Sequence, residues 1–302
     1  MYSMIDFNLI NIIGVILSGL LIGFLSGVFG VGGGFLMTPI LRIVFGIPYN
    51  IAVASDLTAI AITSFYGVFK HYKLQHVNIK LGLIILIGML PGVEIGARIL
   101  TLLKNTSNFL INGKEISQMD FVLNSSYIVV LFLAAFIMFI EYYKWAKENR
   151  ISCDLTNYKI SYYYFNKKDV CSLNIFALLL LGFFIGVLNG MLGVGGGFLI
   201  VPLLINIFSL PAVIVVGTSL FIICPSSVYG AISHIIKGNT DLLMIILILC
   251  GSILGTYLGS QLTEKIRGKK IRLYFVFIIL LAIIMISINF VSQLGYLNFC
   301  ME

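Results

Sequence analysis

Of the 302 residues, 60% are hydrophobic and only 10% are charged, and the mean hydropathy is +1.08. Soluble globular chains carry about 25% charged residues, so this composition excludes a cytosolic enzyme, a disulfide scaffold, a collagen and a disordered chain. Long continuous apolar runs also exclude a β-barrel, in which apolar and polar residues alternate. The net charge of +7 comes from short loops, which indicates cytoplasmic loops rather than nucleic-acid binding. We therefore predict an all-α polytopic membrane protein.

Ten apolar runs follow one another along the chain. A helix needs roughly 20 apolar residues to cross a bilayer, and eight of the runs approach that length. Two shorter runs, at 35–47 and 198–210, come directly after glycine clusters and predict partial helices. No Lys or Arg precedes the first run, so we predict a retained span there and no cleaved signal peptide. The eight long runs are at 9–29, 51–69, 80–101, 122–143, 173–192, 212–236, 242–262 and 272–292.

The chain contains two copies of one unit, 163 residues apart. GFLSGVFGVGGGFLMTPIL at 23–41 matches GVLNGMLGVGGGFLIVPLL at 186–204, and the same register continues without a gap through the runs that follow. A shared lipid-facing composition would scatter Ile and Leu matches, but it would not align glycines, prolines and a histidine in one register. We predict two homologous transmembrane repeats, 1–143 and 173–302, joined by a polar cytoplasmic linker at 144–172.

The positions of Lys and Arg predict that the two repeats are inverted. If the short runs do not cross the membrane, the basic loop residues divide ten to eight between the two sides, which is uninformative. If each short run crosses, fourteen basic residues fall on one side and four on the other. The positive-inside rule prefers the second arrangement, and an odd number of crossings per repeat inverts the second copy. Both termini are then expected outside.

The two GVGGGF segments predict a break between a long helix and a short one. Three adjacent glycines cost a helix roughly 1 kcal/mol each, and the break exposes N–H groups at the positive end of the short helix, where an anion can bind. The alternative is that these glycines only allow close helix packing, as we expect for Gly88-Gly92-Gly96 and Gly251-Gly255-Gly259. A packing seam does not need adjacent glycines, so we favour the functional break. The predicted substrate-binding residues of the two segments are Gly32, Gly33, Gly34, Phe35, Pro39, Gly195, Gly196, Gly197, Phe198 and Pro202.

Polar residues inside the apolar runs are further candidates for the substrate site, because such residues are costly in a membrane. Ser55, Asp56 and Thr58 lie in the third run of the chain, and Thr218 and Ser219 lie at the matching place in the second repeat. They could line a cavity and bind a polar substrate, and Asp56 could carry a proton. An equally good interpretation is that Asp56 only stabilises the first turns of its helix.

Other charged residues allow more than one interpretation. His71 and His234 are at equivalent ends of equivalent runs, where they could form a pH-sensitive gate or a simpler helix-end hydrogen bond. Glu94 and Arg98 are four residues apart and are expected to pair. Arg42 could attract an anion or extend towards the membrane interface. No metal-ligand spacing and no pairing of nucleophile with base is visible in the sequence, so we predict no metal, no cofactor and no enzyme activity.

The duplicated GxxGxGGGFLxxPxL element, Ala54-Ser55, Gly217-Thr218-Ser219 and the two histidines make the chain resemble the TauE/SafE sulfite-exporter family. The resemblance covers nearly the whole chain. It implies transport, often export, of sulfur-containing or organic anions such as sulfite or sulfoacetate across the bacterial inner membrane. Asp56 departs from the small polar residue that the pattern leads one to expect, and an acid there argues against a purely cationic cavity.

Two functions are consistent with the sequence. The first is a secondary carrier for a small anion, with proton coupling. The second is a passive anion channel or a membrane scaffold that uses the same fold. In both cases the protein is expected to lie in the lipid bilayer and to bind no nucleic acid. The carrier also requires a small anionic substrate.

Overall fold

The computed structural model describes residues 9–106, 108–111, 114–148, 175–208, 212–263 and 268–294. Most of the linker predicted at 144–172 therefore lies outside the described residues. Ten helices and one pair of antiparallel strands make up the described part of the chain. Their bounds are α1 Leu9–Phe29, α2 Gly34–Ile43, α3 Tyr49–Lys73, α4 Ile79–Lys104, β1 Phe109–Ile111, β2 Lys114–Ile116, α5 Gln118–Glu148, α6 Ile175–Leu192, α7 Gly197–Phe208, α8 Ala212–Ile236, α9 Leu242–Thr263 and α10 Gly268–Gln293.

Eight of these helices are long and apolar enough to cross a membrane, at the eight places that the apolar runs predict. The prediction of an all-α polytopic membrane protein is confirmed. The two remaining helices, α2 and α7, have 10 and 12 residues. At 1.5 Å per residue they are about 15 and 18 Å long, which is roughly half of the hydrocarbon core. The strand pair after α4 has no counterpart among the predictions made from the sequence.

Glycine ends the long helix before each short one. The Gly30 N–H donates to the Ser26 carbonyl at 2.8 Å, and Gly30 itself has φ +67°. The matching Gly193 donates to Asn189 at 2.9 Å with φ +73°. Both residues have the left-handed conformation that terminates helices and that glycine adopts without steric cost. The chain then turns and begins α2 at Gly34 and α7 at Gly197.

Two glycine seams join the long helices of one predicted repeat to those of the other. Gly251, Gly255 and Gly259 of α9 lie against the backbone of α1, and a Cβ at Gly255 would lie 2.6 Å from the Phe24 nitrogen. Gly88, Gly92 and Gly96 of α4 contact α6 in the same manner. The packing role expected for these two glycine triplets is confirmed. Small residues at every fourth position let two backbones approach closely, which drives helix association in lipid.

Helices α3 and α8 pack against each other in the middle of the described helix bundle and run in opposite directions. Gly67, near the end of α3, lies against Leu220 near the start of α8. Conversely, Gly230 near the end of α8 lies against Leu57 near the start of α3. By contrast, successive glycines of α1 contact successively later residues of α9, so that pair runs parallel. An inverted pair of repeats would produce this combination of directions.

Candidate functional site

The two glycine loops, residues 30–33 and 193–196, meet inside the protein. A Cβ at Gly34 would lie 2.5 Å from the Gly193 carbonyl oxygen, and a Cβ at Gly197 would lie 2.7 Å from the Val31 carbonyl carbon. The first aromatic residues of the two short helices, Phe35 and Phe198, stack with their ring centroids 6.0 Å apart. The short helices therefore begin side by side, and both loops are buried.

Asp56 is a residue of α3, and its side chain lies beside the first turn of α2. Its Oδ2 atom accepts a hydrogen bond of 2.9 Å from the Thr38 hydroxyl, and it would lie 3.0 Å from a Cβ at Gly34. Only 2% of the residue is exposed. A carboxyl group at this position is next to the positive end of the α2 dipole. Asp56 is thus placed against the feature that the sequence predicts as an anion site, and it belongs to α3 rather than to the loop itself.

A small cavity lies beside the first glycine loop, and its volume is close to that of one water molecule. It is bounded by four helices and by the loop itself. The lining combines apolar side chains with a carboxyl, three hydroxyls and glycine backbone. Gly32 and Asp56 are the two predicted site residues that line it. The lining residues are Gly19, Ile22, Gly23, Ser26, Gly32, Met37, Asp56, Ala59, Ile60, Thr63, Ile248 and Ser252.

The other predicted residues of the first loop pack around this cavity without lining it. Gly33, with φ +74°, lies against α1, and a Cβ there would be 2.8 Å from the Ile22 Cγ2 atom. Phe35 packs between the rings of Phe198 and Phe275. Pro39 is a buried residue inside α2, where it lies two turns after the glycine loop. The first loop therefore offers its backbone to the cavity mainly at Gly32.

The second loop is packed about as closely as the first. A Cβ at Gly196 would lie 2.8 Å from the Ile185 Cγ2 atom and 2.9 Å from the Met89 Cε atom. Gly195 lies beneath Ile60 and Ile223, which also cover Gly32. Met89 thus occupies the space beside the second loop. Gly197, Phe198 and Pro202 are likewise buried.

The structure separates the polar residues predicted on α3 and α8. Thr58 donates to the Ala54 carbonyl of its own helix at 2.9 Å. Ser219 donates to the Gly30 carbonyl at 2.9 Å, so it braces the first loop from α8. The Thr218 hydroxyl lies away from the first loop and accepts a hydrogen bond of 3.0 Å from the Asn78 N–H, near the start of α4. Ser55 is buried, and its hydroxyl has no partner among the described residues.

The two predicted histidines have different surroundings. The Nε2 atom of His234 lies 3.0 Å from the Gly190 carbonyl oxygen, which is the hydrogen-bonded arrangement at a helix end. The ring of His71 lies 5.6 Å from that of His76, measured between centroids. Both His71 and His234 are buried and are outside the cavity lining.

The predicted Glu94–Arg98 pair is confirmed, with 2.8 Å between Nε and Oε1. Glu94 also accepts a hydrogen bond of 2.6 Å from Ser233 and bonds of 3.2 Å from Lys237, so it links α4 to the end of α8. Arg42 adopts neither of its predicted roles: it forms an ion pair with Asp120 of α5. Arg42 and Glu94 are therefore each neutralised by a partner from another part of the chain, Asp120 and Lys237 respectively.

Three buried polar residues near the loops were not among the residues predicted from the sequence. Ser26 and Ser252 line the cavity, and Ser252 has no hydrogen-bond partner for its hydroxyl among the described residues. Asn189 is fully buried, and both polar atoms of its amide lack a partner within the same part of the chain. The repeat register offered one signal, because Ser26 and Asn189 are equivalent polar positions in glycine-rich helices. No group of three or more His, Cys, Asp or Glu residues within the described ranges is placed to hold a metal ion.

Comparison with known proteins identifies the family. The sequence profile of the Sulfite exporter TauE/SafE family matches residues 15–286. The chain belongs to the TauE/SafE family. Among curated relatives, the "Probable membrane transporter protein YunE" of Bacillus subtilis is 27% identical over 85% of this chain and 90% of the relative.

Two further relatives support the same assignment. A second Bacillus subtilis protein, "Probable membrane transporter protein YjnA", is 28% identical over 89% of this chain and 97% of its own length. "Probable membrane transporter protein MJ0441" of Methanocaldococcus jannaschii is 28% identical over 86% and 89%. No solved structure matches the chain. The TauE/SafE chain is a multi-pass integral membrane protein of a transporter family.

Proposed function

We propose that this TauE/SafE protein is a secondary transporter that exports a small sulfur-containing or organic anion across the cell membrane together with a proton. The observation that carries the proposal is Asp56, a buried carboxyl group at the first turn of α2 and on the wall of the cavity. Buried ionisable residues in a membrane are costly, and they mark the paths of ions and protons.

Asp56 and a bound anion would compete for the positive end of α2. The N–H groups and the dipole at the start of α2 favour one negative charge. An ionised Asp56 supplies that negative charge itself and repels an incoming anion. When Asp56 is neutral, the substrate anion can supply the charge instead. Protonation of Asp56 would therefore accompany anion binding, and proton and anion would cross together. The outward gradient of the anion then drives export.

The two predicted repeats would supply alternating access. In many transporters, inverted repeats enclose a central site that opens to one side and then to the other. The antiparallel contact of α3 with α8 and the parallel contact of α1 with α9 support this arrangement here. Polar contacts link helices near both ends of the core: Lys70 of α3 donates to the Ser260 carbonyl of α9 at 2.9 Å, and Glu94 of α4 bonds to α8.

Flux in proteoliposomes tests the transport function. Purified protein in vesicles loaded with radiolabelled sulfite, sulfoacetate or acetate should release one of these anions with saturable kinetics, and a pH change in the lumen should accompany the release. Flux that rises linearly with concentration would identify a channel and overturn the carrier. Absence of any flux above protein-free vesicles, for all three anions, would overturn transport of this substrate class.

Reporter fusions test the inverted topology. Alkaline phosphatase folds actively only outside the cytoplasm, so fusions at either terminus should be active and a fusion inside the 144–172 linker should be inactive. The fourteen-to-four distribution of basic residues is the physical basis of this expectation. A linker fusion with activity equal to that of the termini would contradict both the inverted repeats and the cytoplasmic linker.

A further inference from the structure

We infer that Ser252 is a substrate-binding residue, whose hydroxyl donates a hydrogen bond to a single small oxyanion held beside the first glycine loop. This inference rests on the proposed transport function and deepens it. Ser252 is 5% exposed, lines the same cavity as Gly32 and Asp56, and has no partner for its Oγ atom among the described residues. An unpaired buried hydroxyl costs about 1–3 kcal/mol. A hydrogen bond to a ligand would remove this cost.

Two hydroxyls of α3 close to the site are already satisfied by their own helix. Thr63 of α3 donates to the Ala59 carbonyl at 2.9 Å, and Ser64 donates to the Ile60 carbonyl. Such bonds to the preceding turn are the usual solution for Ser and Thr inside membrane helices. Ser252 makes no such bond, although it lies at the eleventh of the 22 residues of α9. Its O–H group therefore stays available near the middle of the membrane.

Packing against α1 fixes the position of Ser252. A Cβ at Gly23 would lie 2.6 Å from the Ser252 Cα atom, so the two backbones are in direct contact. This seam leaves the serine side chain to face the cavity. An oxyanion of four or five atoms needs more room than one water molecule. For the oxyanion to bind in the cavity, α3 would therefore have to move away from the closely packed α1–α9 pair. Hinge and shear motions of packed helices allow such a movement.

The second repeat does not offer the same site. Met89 is the residue that corresponds to Ser252 at the offset of 163, and it is fully buried with its Cε atom against the second glycine loop. Asp56 corresponds to Ser219, whose hydroxyl is already bonded to the Gly30 carbonyl. Carboxyl, free hydroxyl and open space therefore coincide only beside the first loop, within the described residues. One anion per chain follows.

Exchanging the two corresponding residues tests the inference. Ser252→Met should abolish saturable flux because a methionine would occupy the cavity as Met89 does beside the other loop. Ser252→Ala keeps the space and removes one donor, so the KM for the transported anion should rise about tenfold with kcat nearly unchanged. Met89→Ser is the matched control, and its KM should remain within about twofold of the unchanged protein.

The outcomes separate this inference from the proposed function. Thermal unfolding and gel filtration in detergent identify any variant that fails to fold, and Ser252→Ala, the smallest change, then decides. An unchanged KM in Ser252→Ala, with saturable flux in the unchanged protein, would overturn the role of Ser252 alone. A KM that rises equally in Met89→Ser would overturn the single, asymmetric site. No flux in the unchanged protein would instead overturn the transport proposal.

Discussion

Replacing Asp56 with asparagine is expected to uncouple anion movement from proton movement. Asparagine keeps the size of the side chain and can still accept the hydrogen bond from Thr38, but it carries neither a negative charge nor a transferable proton. Proton-driven anion accumulation in proteoliposomes should fall at least about tenfold. Anion exchange between equal pH values should persist, because the uncharged side chain no longer repels the substrate.

Glu94→Gln is the control for the loss of an acid from a membrane helix. Glu94 bonds to Ser233, Lys237 and Arg98 on the flank of the helix bundle, and it does not line the cavity. Its replacement should lower the melting temperature and leave the ratio of protons to anions unchanged. Undiminished proton coupling in Asp56→Asn, or its loss only in Glu94→Gln, would contradict the assignment of Asp56.

Replacing Gly34 with alanine is expected to abolish flux by forcing the two glycine loops apart. The new Cβ would lie 2.5 Å from both the Gly193 carbonyl oxygen and the Ile60 Cδ1 atom, and 3.0 Å from Asp56 Oδ2. A backbone carbonyl cannot rotate away as a flexible side chain can. Overpacking of this kind costs about 1–3 kcal/mol, so the melting temperature should also fall. Initial rates of flux and the thermal unfolding of purified protein provide the two measurements.

Gly46→Ala is the matched control for this substitution. Gly46 has φ +68° and no heavy atom within 4 Å of the position that a Cβ would take, so alanine there introduces backbone strain without a collision. Gly34 presents the opposite case, because its added methyl collides although its φ is ordinary. The Gly46 variant should keep its flux despite a strain of about 1–2 kcal/mol. Equal flux in the two variants would show that the contact between the loops is not needed for transport.

The eight spans and the two glycine breaks could be predicted because both depend on local chemistry. Apolar runs near 20 residues cross a bilayer whatever their neighbours are, and adjacent glycines interrupt a helix in any context. The two repeats stay a prediction, and their register likewise rests only on the order of residues. The glycine seams of α4 and α9 were predictable from their four-residue spacing.

The composition of the site was harder to predict because it depends on which face of each helix turns inwards. In a soluble protein, apolar periodicity distinguishes the buried face from the exposed one. In a membrane both faces are apolar, so the pattern does not show that Asp56 faces the first loop or that Thr218 faces Asn78. The ion pair of Arg42 with Asp120, 78 residues away, was hidden for the same reason.

The sequence by itself determined the membrane class, the helix breaks and the resemblance to the TauE/SafE family, and it predicts the duplication. Tertiary structure alone decided that the two loops touch, that Ser252 of α9 faces the same cavity as Asp56 of α3, and that Met89 occupies the corresponding space. The physical reason is that long-range contacts between helices orient these side chains. Local propensity and hydrophobicity specify a helix and its length, but not its rotation about its own axis.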